Sequence, residues 1–254
     1  MSLRKEIYQH ILTACTQPSI HAPLEPAKKL SKTFNRPIYL KREDLQPIFS
    51  LKCRGACHKL WLLSKDPSIK KVMTASAGNH AQGLALGAQF YHLDALIVMP
   101  RTTPFIKIKA VQNLGATVEI IGDSYDEAYA YAIDKSRSEN IPFIPAFDDK
   151  EIAAGQGTVA KEIDADIDLN TIEAIFVPVG GGGLFGGMVA YLSQTYPHVR
   201  IIGVEHEGSA CLKEALLAHE RVCLPRVDLF ADGVAVKQIG QVAFDLVNEL
   251  PNEA

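Results

Sequence analysis

The sequence of 254 residues lacks a basic excess, a long apolar run and a signal-peptide pattern. Its formal net charge of −3 gives no electrostatic footprint for nucleic acid. The weakly charged stretch of residues 74–93 carries Asn79, His80 and several glycines, so we expect no membrane-spanning helix there. The N-terminal segment holds Glu6 and has no sustained apolar core, which argues against a signal peptide. We therefore expect neither a nucleic-acid nor a membrane partner.

A disulfide framework is also missing, because the five cysteines are scattered and odd in number. This usage favours a reducing, cytoplasmic setting. Cys53, Cys57 and His58 lie close together, but no second group of residues has zinc-type spacing, so we expect no metal site. Repeats, low-complexity tracts and long linkers are absent as well. The length suits one large or two intertwined α/β units.

The pattern that is present is an alternation of short apolar runs with helical periodicity. The runs are bounded by Gly, Pro or polar residues, as is typical of strands buried on both faces. The predicted strands cover residues 38–41, 71–74, 95–99, 117–121, 174–179 and 201–205. This order predicts an α/β fold with parallel sheets and helices on both faces.

Several helix ends can be predicted from capping patterns. Thr103 is placed to cap a helix that starts at Pro104 and closes at Gly115. Ser124 and Glu127 form a capping-box pattern ahead of another helix. Further helices are expected to start close to Asn79 and to cover residues 184–196 and 238–250.

Lys52 is the first candidate for chemistry, because it has apolar neighbours and little bulk follows it at residues 55–56. An amine shielded from water has a lowered pKa and can form a Schiff base at neutral pH. The nearby cations Arg54 and Lys59 are expected to lower the Lys52 pKa in the same direction. Taken alone, a lysine at such a junction is usually a solvated surface residue, so the candidate depends on its partners.

The second candidate is the run of four glycines at residues 180–183, between an apolar predicted strand and a helical pattern. Bare backbone N–H groups at the start of a helix bind phosphate well. A flexible turn is the ordinary explanation, but glycine at this density costs conformational entropy and usually has a reason. We therefore expect an anion cradle.

The same loop leaves a different function open. Gly181, Gly183 and Gly186 satisfy a G-x-G-x-x-G pattern, and Glu205 ends the next predicted strand, as in dinucleotide-binding domains. Against this, several strands precede the motif, and residues 50–56 and 76–83 would have no role. An NAD(P)-dependent oxidoreductase is the alternative, and a catalytically inactive fragment is a third.

The third candidate is the polar, glycine-containing segment of residues 76–83 ahead of a predicted helix. Backbone donors in such a loop suit a carboxylate. Asn79 and His80 would add side-chain donors. A plain capped helix start has the same appearance.

Together these segments resemble the fold-type II pyridoxal-phosphate enzymes, and among them the biosynthetic threonine dehydratases (threonine ammonia-lyases). The matching segments also include residues 41–47, 154–158, 209–213, 224–227 and 233–237. The resemblance implies two intertwined three-layer α/β domains with mostly parallel sheets, similar to tryptophan synthase β. Residues 1–52 and 155–254 would form a large cofactor-binding domain, and residues 53–154 a small inserted domain.

The resemblance further implies a lyase that uses pyridoxal 5′-phosphate to deaminate L-threonine, and also L-serine, in the first step of isoleucine biosynthesis. Such an enzyme would be a cytoplasmic homo-oligomer that acts on a small amino acid. Lys52 would be the catalytic residue and would hold the cofactor covalently. The implied cofactor-binding residues are Leu51, Lys52, Asn79, Gly180, Gly181, Gly182, Gly183 and Leu184. The implied substrate-binding residues are Ser76, Ala77, Gly78, Asn79 and His80.

Two departures from that family stand out. Leu51 occupies a position where these dehydratases usually have phenylalanine beside the cofactor ring. The sequence also has no segment resembling Glu-Pro-Ser-Gly-Ala, whose serine would contact the pyridine nitrogen, and no regulatory domain. We therefore expect a chain that is truncated at its C-terminus.

Overall fold

The computed structural model describes residues 1–250. Within them, the α-helices are α1 (Leu3–Thr13), α2 (Lys28–Phe34), α3 (Lys52–Leu63), α4 (Asn79–Phe90), α5 (Phe105–Asn113), α6 (Tyr125–Glu139), α7 (Lys150–Asp166), α8 (Gly183–Thr195), α9 (Cys211–Ala218) and α10 (Gln241–Asn248). The strands are β1 (Leu24–Pro26), β2 (Tyr39–Lys41), β3 (Lys71–Ala75), β4 (Asp94–Met99), β5 (Thr117–Ile120), β6 (Ala174–Pro178) and β7 (Arg200–Val204). Short 3-10 turns include Glu43–Leu45 and Asp232–Val234.

The strands form three sheets, two of them parallel. Strands β3, β4 and β5 make a parallel sheet in that order, and β6 pairs in parallel with β7. The third sheet is the antiparallel pair of β1 and β2. An α/β fold with mostly parallel sheets is therefore confirmed. All six predicted strands are present to within one residue at each end, whereas the sequence analysis missed β1.

Burial on both faces is confirmed for only part of the strands. All but the first residue of β3 and of β4 are buried, because helices cover both faces of their sheet. The prediction is wrong for β6 and β7, where the side chains of Phe176 and Val204 are 67% and 48% exposed. Among the described residues, the larger helices cover only one face of that pair. Strand β2 is likewise half-buried or exposed.

The predicted helix ends are mostly confirmed. Ser124 and Glu127 form a full capping box at the start of α6, and α4 begins at Asn79. The cap at Thr103 is wrong, because Pro104 has extended ψ and itself occupies the N-cap position of α5. The last helix begins at Gln241 rather than 238. The sequence also predicts that no strand follows this helix; that prediction concerns residues 251–254, which lie outside the described residues.

Two hydrophobic cores meet at α7. The larger core is built from α1, α7, α8, α9, α10 and β6. The smaller core lies on the two faces of the β3–β5 sheet, with Val72 and Ile97 facing α4 and with Met73 and Leu96 facing α6. In the first turn of α7, Ile152 belongs to the smaller core, and the next residue, Ala153, belongs to the larger one. The two cores therefore share one helix.

Residues 1–250 include no helix that is long and apolar enough to cross a membrane.

Candidate active site

Lys52 is the first residue of α3, and its amine points into the protein. Nζ donates a hydrogen bond to the carbonyl oxygen of Ala146 at 3.2 Å. The backbone N–H of Lys52 donates to Oγ of Ser50 at 3.3 Å, which orients the start of the helix. Burial lowers the pKa of Lys52 to about 8, because the charged ammonium loses hydration there. A substantial fraction of this amine is therefore neutral near physiological pH.

The expected help from neighbouring cations is wrong. Burial alone accounts for the lowered pKa of Lys52. Arg54 donates to the carboxylates of Glu43 and Glu162, and Lys59 lies 2.7 Å from Asp149 and 3.2 Å from Glu151. Each cation is thus neutralised by carboxylates on its own side of the helix. Its field does not reach the Lys52 amine uncompensated.

The four glycines form the turn between β6 and α8. Gly182 is the N-cap of α8 and has a φ of 89°, which only glycine adopts without strain. There is also no space for a side chain at Gly182, since a Cβ there would meet Ala243 and would lie 2.7 Å from Cδ1 of Ile239. A Cβ on Gly181 would overlap the ring of Phe147. Both the backbone angle and the close packing therefore require glycine.

This turn offers hydrogen-bond donors that are not used within the protein. Among the described residues, the backbone N–H groups of residues 181–184 donate to no other group. They lie at the positive end of the 13-residue helix α8. Such an arrangement binds an anion through backbone donors and the helix dipole. The glycine turn is therefore a preformed cradle of the kind that a phosphate group fits.

The Lys52 amine and the glycine turn are connected by residues 146–147. Nζ of Lys52 bonds to the Ala146 carbonyl, and the ring of the next residue, Phe147, packs on Gly181. The main-chain carbonyl of Phe147 also lies close to Gly183. The buried amine of Lys52 and the glycine turn thus contact two adjacent residues of the same short segment. Sequence reasoning missed Phe147, and its position ahead of the Asp149 helix cap is the only local signal.

Three further residues that the sequence reasoning missed, Cys211, Val234 and Gly240, also contact the glycine turn. Sγ of Cys211, at the start of α9, donates to the carbonyl of Gly180 at 3.4 Å. The backbone of Val234 packs directly against Gly180, so that a Cβ on this glycine would lie 2.9 Å from Cα of Val234. The N–H of Gly240 donates to the Gly181 carbonyl at 3.0 Å. These contacts occupy the carbonyl groups of the turn and leave its N–H groups free.

The segment of residues 76–80 lies at the C-terminal end of β3 and opens α4. Oγ of Ser76 accepts a hydrogen bond from the N–H of Gly78 at 3.3 Å, which shapes the loop. Ser76, Ala77 and Gly78 are half-buried, and Asn79 is exposed at the first position of the helix. The loop can therefore present its backbone to a ligand.

The ring of His80 has a hydrogen-bond partner within the protein. Its Nε2 bonds to the carbonyl of Ile144 at 3.0 Å, and its side chain is buried. Burial, together with the charge on Lys52, lowers the pKa of His80 to about 4, so the ring is neutral at physiological pH. Nε2 of His80 therefore already has a partner within the protein, and the expected donation to a ligand stays a prediction. Any ligand contact from Nε2 would require breaking this bond.

Leu51 and Leu184 flank the two halves of the site. Leu51 is the residue before α3 and is half-buried, and Leu184 is the second residue of α8, also half-buried. Their positions follow directly from those of Lys52 and Gly183.

The dinucleotide interpretation finds no support in the geometry. Both carboxylate oxygens of Glu205 accept backbone N–H groups, from Leu212 and from Lys213, each at 2.9 Å. Glu205 therefore caps α9. Gly186 lies against α10, where a Cβ would come within 2.9 Å of Cδ1 of Leu246. Helix packing accounts for this glycine.

The cysteine and histidine residues of α3 also have structural explanations. His58 stacks on Trp61 with ring centroids 5.7 Å apart. Cys53 and Cys57 pack in a small apolar cluster with Ile48. Within residues 1–250, no three His, Cys, Asp or Glu side chains come together as metal ligands could.

Comparison with known proteins decides the family. Residues 16–254 match the sequence profile of the family described as pyridoxal-phosphate dependent enzyme. The chain belongs to the pyridoxal-phosphate dependent enzyme family. The site fits the cofactor of that family, since it holds a buried, partly neutral lysine amine and a glycine turn whose backbone N–H groups of residues 181–184 have no partner among the described residues. A lysine of this kind can bind an aldehyde covalently.

Several relatives in this family are dehydratases by name. The chain is 52% identical over 228 residues to threonine dehydratase 1 biosynthetic, chloroplastic, of Solanum lycopersicum. That match covers 90% of the chain and 38% of the relative. It is 46% identical to the biosynthetic L-threonine dehydratase of Escherichia coli, with 89% and 44% covered. The chain thus spans about two fifths of the length of the curated relatives it matches.

A solved structure of the same family has the same fold. The processed form of threonine deaminase isoform 2 from Solanum lycopersicum superimposes with a TM-score of 0.93 at 44% identity. The match covers 97% of this chain and 68% of the other. The fold-type II architecture is therefore confirmed.

Proposed function

We propose that this chain carries the catalytic site of a threonine ammonia-lyase that uses pyridoxal 5′-phosphate. The reaction would convert L-threonine to 2-oxobutanoate and ammonia, as the first step of isoleucine biosynthesis, and L-serine to pyruvate and ammonia. One observation carries the proposal: the buried Lys52 amine bonds to the segment that packs on the glycine turn. The names of the relatives supply the substrate class.

In this proposal Lys52 is both the covalent anchor and the proton carrier. Once bound, the cofactor withdraws electron density from Cα of the amino acid and so makes the Cα proton acidic. Nζ of Lys52, with its pKa of about 8, can accept that proton near neutral pH. Ala146 supplies the carbonyl that holds Nζ in place before reaction.

The other site residues bind and orient. The N–H groups of Gly180, Gly181, Gly182, Gly183 and Leu184 would hold the phosphate. Leu51 would cover one face of the cofactor ring, and Asn79 would bond to its phenolic oxygen. The carboxylate of the substrate would rest on the loop formed by Ser76, Ala77, Gly78, Asn79 and His80, with His80 contributing through its backbone.

We also propose the domain division of residues 53–154 as a small domain inserted into a large one. In support, the smaller hydrophobic core draws its buried residues from positions 60–152, and the larger core from positions 7–11 and 153–246. Hydrogen exchange in increasing urea, followed by mass spectrometry, tests the division, because both junctions lie in buried parts of α3 and α7 where a protease would not cut the folded chain. Exchange boundaries that fall far from residues 53 and 154 would contradict it.

A homo-oligomer in the cytoplasm completes the proposal. Cys15, Cys53, Cys57, Cys211 and Cys223 are all free thiols, which suits a reducing compartment. Relatives from plants carry chloroplastic in their names, so the chloroplast is the competing location. Tagged protein located by microscopy decides between the two, and light scattering gives the number of subunits.

The decisive experiment is a keto-acid assay with L-threonine and L-serine, with the cofactor added. The same protein is treated with borohydride, and the modified lysine is located by mass spectrometry. We expect modification at Lys52 and 2-oxobutanoate production that the Lys52→Ala variant loses. Lys65→Ala serves as the control, because Lys65 lies over the Trp61 ring just beyond the same helix. Wild-type protein that stays colourless and unmodified would instead be an inactive fragment.

A further inference from the structure

The side chain of Arg54 is completely buried and is held between two carboxylates. Nε and Nη2 donate to the two oxygens of Glu43, each at 2.8 Å. Nη1 and Nη2 donate to the two oxygens of Glu162, at 2.6 and 2.7 Å. We call these three residues the Arg54 clamp. Bidentate pairs of this kind fix both the position and the orientation of a guanidinium group.

Additional partners complete the clamp. Nη1 donates to Oγ1 of Thr158 at 3.2 Å, and the carbonyl of Ile20 lies 3.2 Å from Nη2, whose two protons go to the nearer carboxylates. The second carboxylate, Glu162, also lies 2.9 Å from Nζ of Lys41, so the surplus negative charge is balanced. The clamp therefore ties α3 to α7, to the 3-10 turn at Glu43 and to the segment around Ile20. Its hydrogen bonding is satisfied, as a buried charge requires.

Arg54 lies two positions after Lys52 in the first turn of α3. Residues at i and i+2 of an α-helix project about 200° apart, so the two side chains leave the helix on nearly opposite sides. Lys52 reaches Ala146, whereas Arg54 reaches α7. A rotation of α3 about its axis that moved the amine would have to pull the guanidinium out of its partners.

Translation of α3 is blocked by backbone contacts at the same turn. A Cβ on Gly155 of α7 would lie 2.6 Å from Cα of Gly55, so the two helices touch through glycine. A Cβ on Gly83 of α4 would lie 2.9 Å from the carbonyl oxygen of Lys52. The helix is thus wedged between α4 and α7. These contacts block translation of α3 but do not by themselves fix its rotation about the helix axis.

We propose that Arg54 is a positioning residue, whose clamp fixes the rotation of α3 and so aims the Lys52 amine at the 146–147 segment beside the glycine turn. The inference rests on the proposed function only in the cofactor used as a probe. Arg54 touches no reacting group and does not act through its charge, because Glu43 and Glu162 neutralise it.

The test compares the reaction of Lys52 with pyridoxal 5′-phosphate in the full chain of wild type, Arg54→Lys and Lys59→Met. Borohydride fixes the product, and mass spectrometry gives the modified fraction at Lys52 over a range of pH. Lys59→Met is the matched control, because Lys59 also joins α3 to the N-terminus of α7, through Asp149 and Glu151, but about two turns further along α3 than Lys52. Thermal unfolding is measured for each variant.

We expect Arg54→Lys to lower the rate of Lys52 modification by about tenfold or more, since a misaimed nucleophile loses its oriented approach. The pH at half-maximal modification should rise towards that of an ordinary lysine. In the Lys59→Met variant, Lys52 should be modified at the wild-type rate, whatever the melting temperature of the variant. Should Arg54→Lys fail to fold, Glu162→Gln decides, because it loosens one side of the clamp and leaves Glu43 in place.

Equal rates and an unchanged pH midpoint in the folded clamp variant would overturn the proposal. So would an equal loss in Lys59→Met, which would mean that any tie between the two helices suffices. Failure of the proposed function is a different result, in which wild-type protein itself is not modified at Lys52.

Discussion

Replacing Gly182 by alanine tests the glycine turn most directly, because the chain contains a matched control. Gly182 and Gly115 have nearly the same backbone angle, with φ of 89° and 86°. A Cβ at Gly182 would meet Ala243 of α10 and Ile239 just before that helix, whereas a Cβ at Gly115 would meet nothing within 4 Å. The two substitutions share the backbone strain and differ in packing.

The expected magnitudes follow from these two contributions. A left-handed conformation costs an alanine roughly 1–2 kcal/mol, and this cost applies to both variants. Overpacking a core costs a further ~1–3 kcal/mol, which applies to Gly182→Ala alone. The entropy that alanine removes from the unfolded chain is common to both variants and cancels in the comparison. Gly182→Ala should therefore be less stable than Gly115→Ala by about 1–3 kcal/mol.

Urea unfolding of the two variants, followed by far-UV circular dichroism, measures the difference in the free energy of unfolding. The slopes against denaturant must agree for the comparison to hold. Gly182→Ala should also weaken binding of the cofactor, since a displaced α8 start misdirects the N–H groups, and Gly115→Ala should not. A difference in stability below about 0.5 kcal/mol, the usual scatter of such comparisons, would refute the packing described here.

Three further predictions concern single side chains. Lys52→Met should stabilise the cofactor-free protein at neutral pH. This gain in stability over wild type should shrink as the pH rises above about 8, because the buried wild-type amine then loses its proton. Urea midpoints at several pH values measure the gain, and a gain that stays constant would contradict the prediction. His58 and His80 are buried with pKa values lowered to about 4, so the unfolded chain binds more protons below pH ~6.5 and stability should fall as the pH drops from there towards 4. His58→Phe should reduce that slope, because only His80 of the pair then takes up an extra proton on unfolding; an unchanged slope in acid titrations would refute this. Ser124→Ala should cost about 1 kcal/mol through loss of the capping box of α6, and an unchanged melting temperature would show that the cap contributes nothing.

The regular elements were largely predictable because their signals are local. The capping box at Ser124 and the apolar runs of β3 and β4 depend on neighbouring residues and on burial against two layers. The same logic failed for β6 and β7, because an apolar run does not reveal how many of its faces are covered. Thr103 failed for a related reason, since the choice between two adjacent capping positions depends on the ψ angle of Pro104.

The site was predictable in its components and not in its contacts. Lys52 and the glycine turn are conspicuous in the sequence, and resemblance to a family named the remaining site residues. No sequence pattern indicated that Phe147 would join the two halves, or that His80 would turn its ring to Ile144. Arg54 pairs with Glu43, 11 positions before it, and with Glu162, 108 positions after it, and only tertiary structure brings the three together.

The position of helix α7 between the two cores affects how the protein unfolds. Because the adjacent residues Ile152 and Ala153 pack in different cores, unfolding of either core removes part of the packing around the single helix α7. The two cores are therefore thermally interdependent, because both support the same helix. Amide protons in the middle of this helix should exchange only through global opening, which makes it the slowest-exchanging element of the chain.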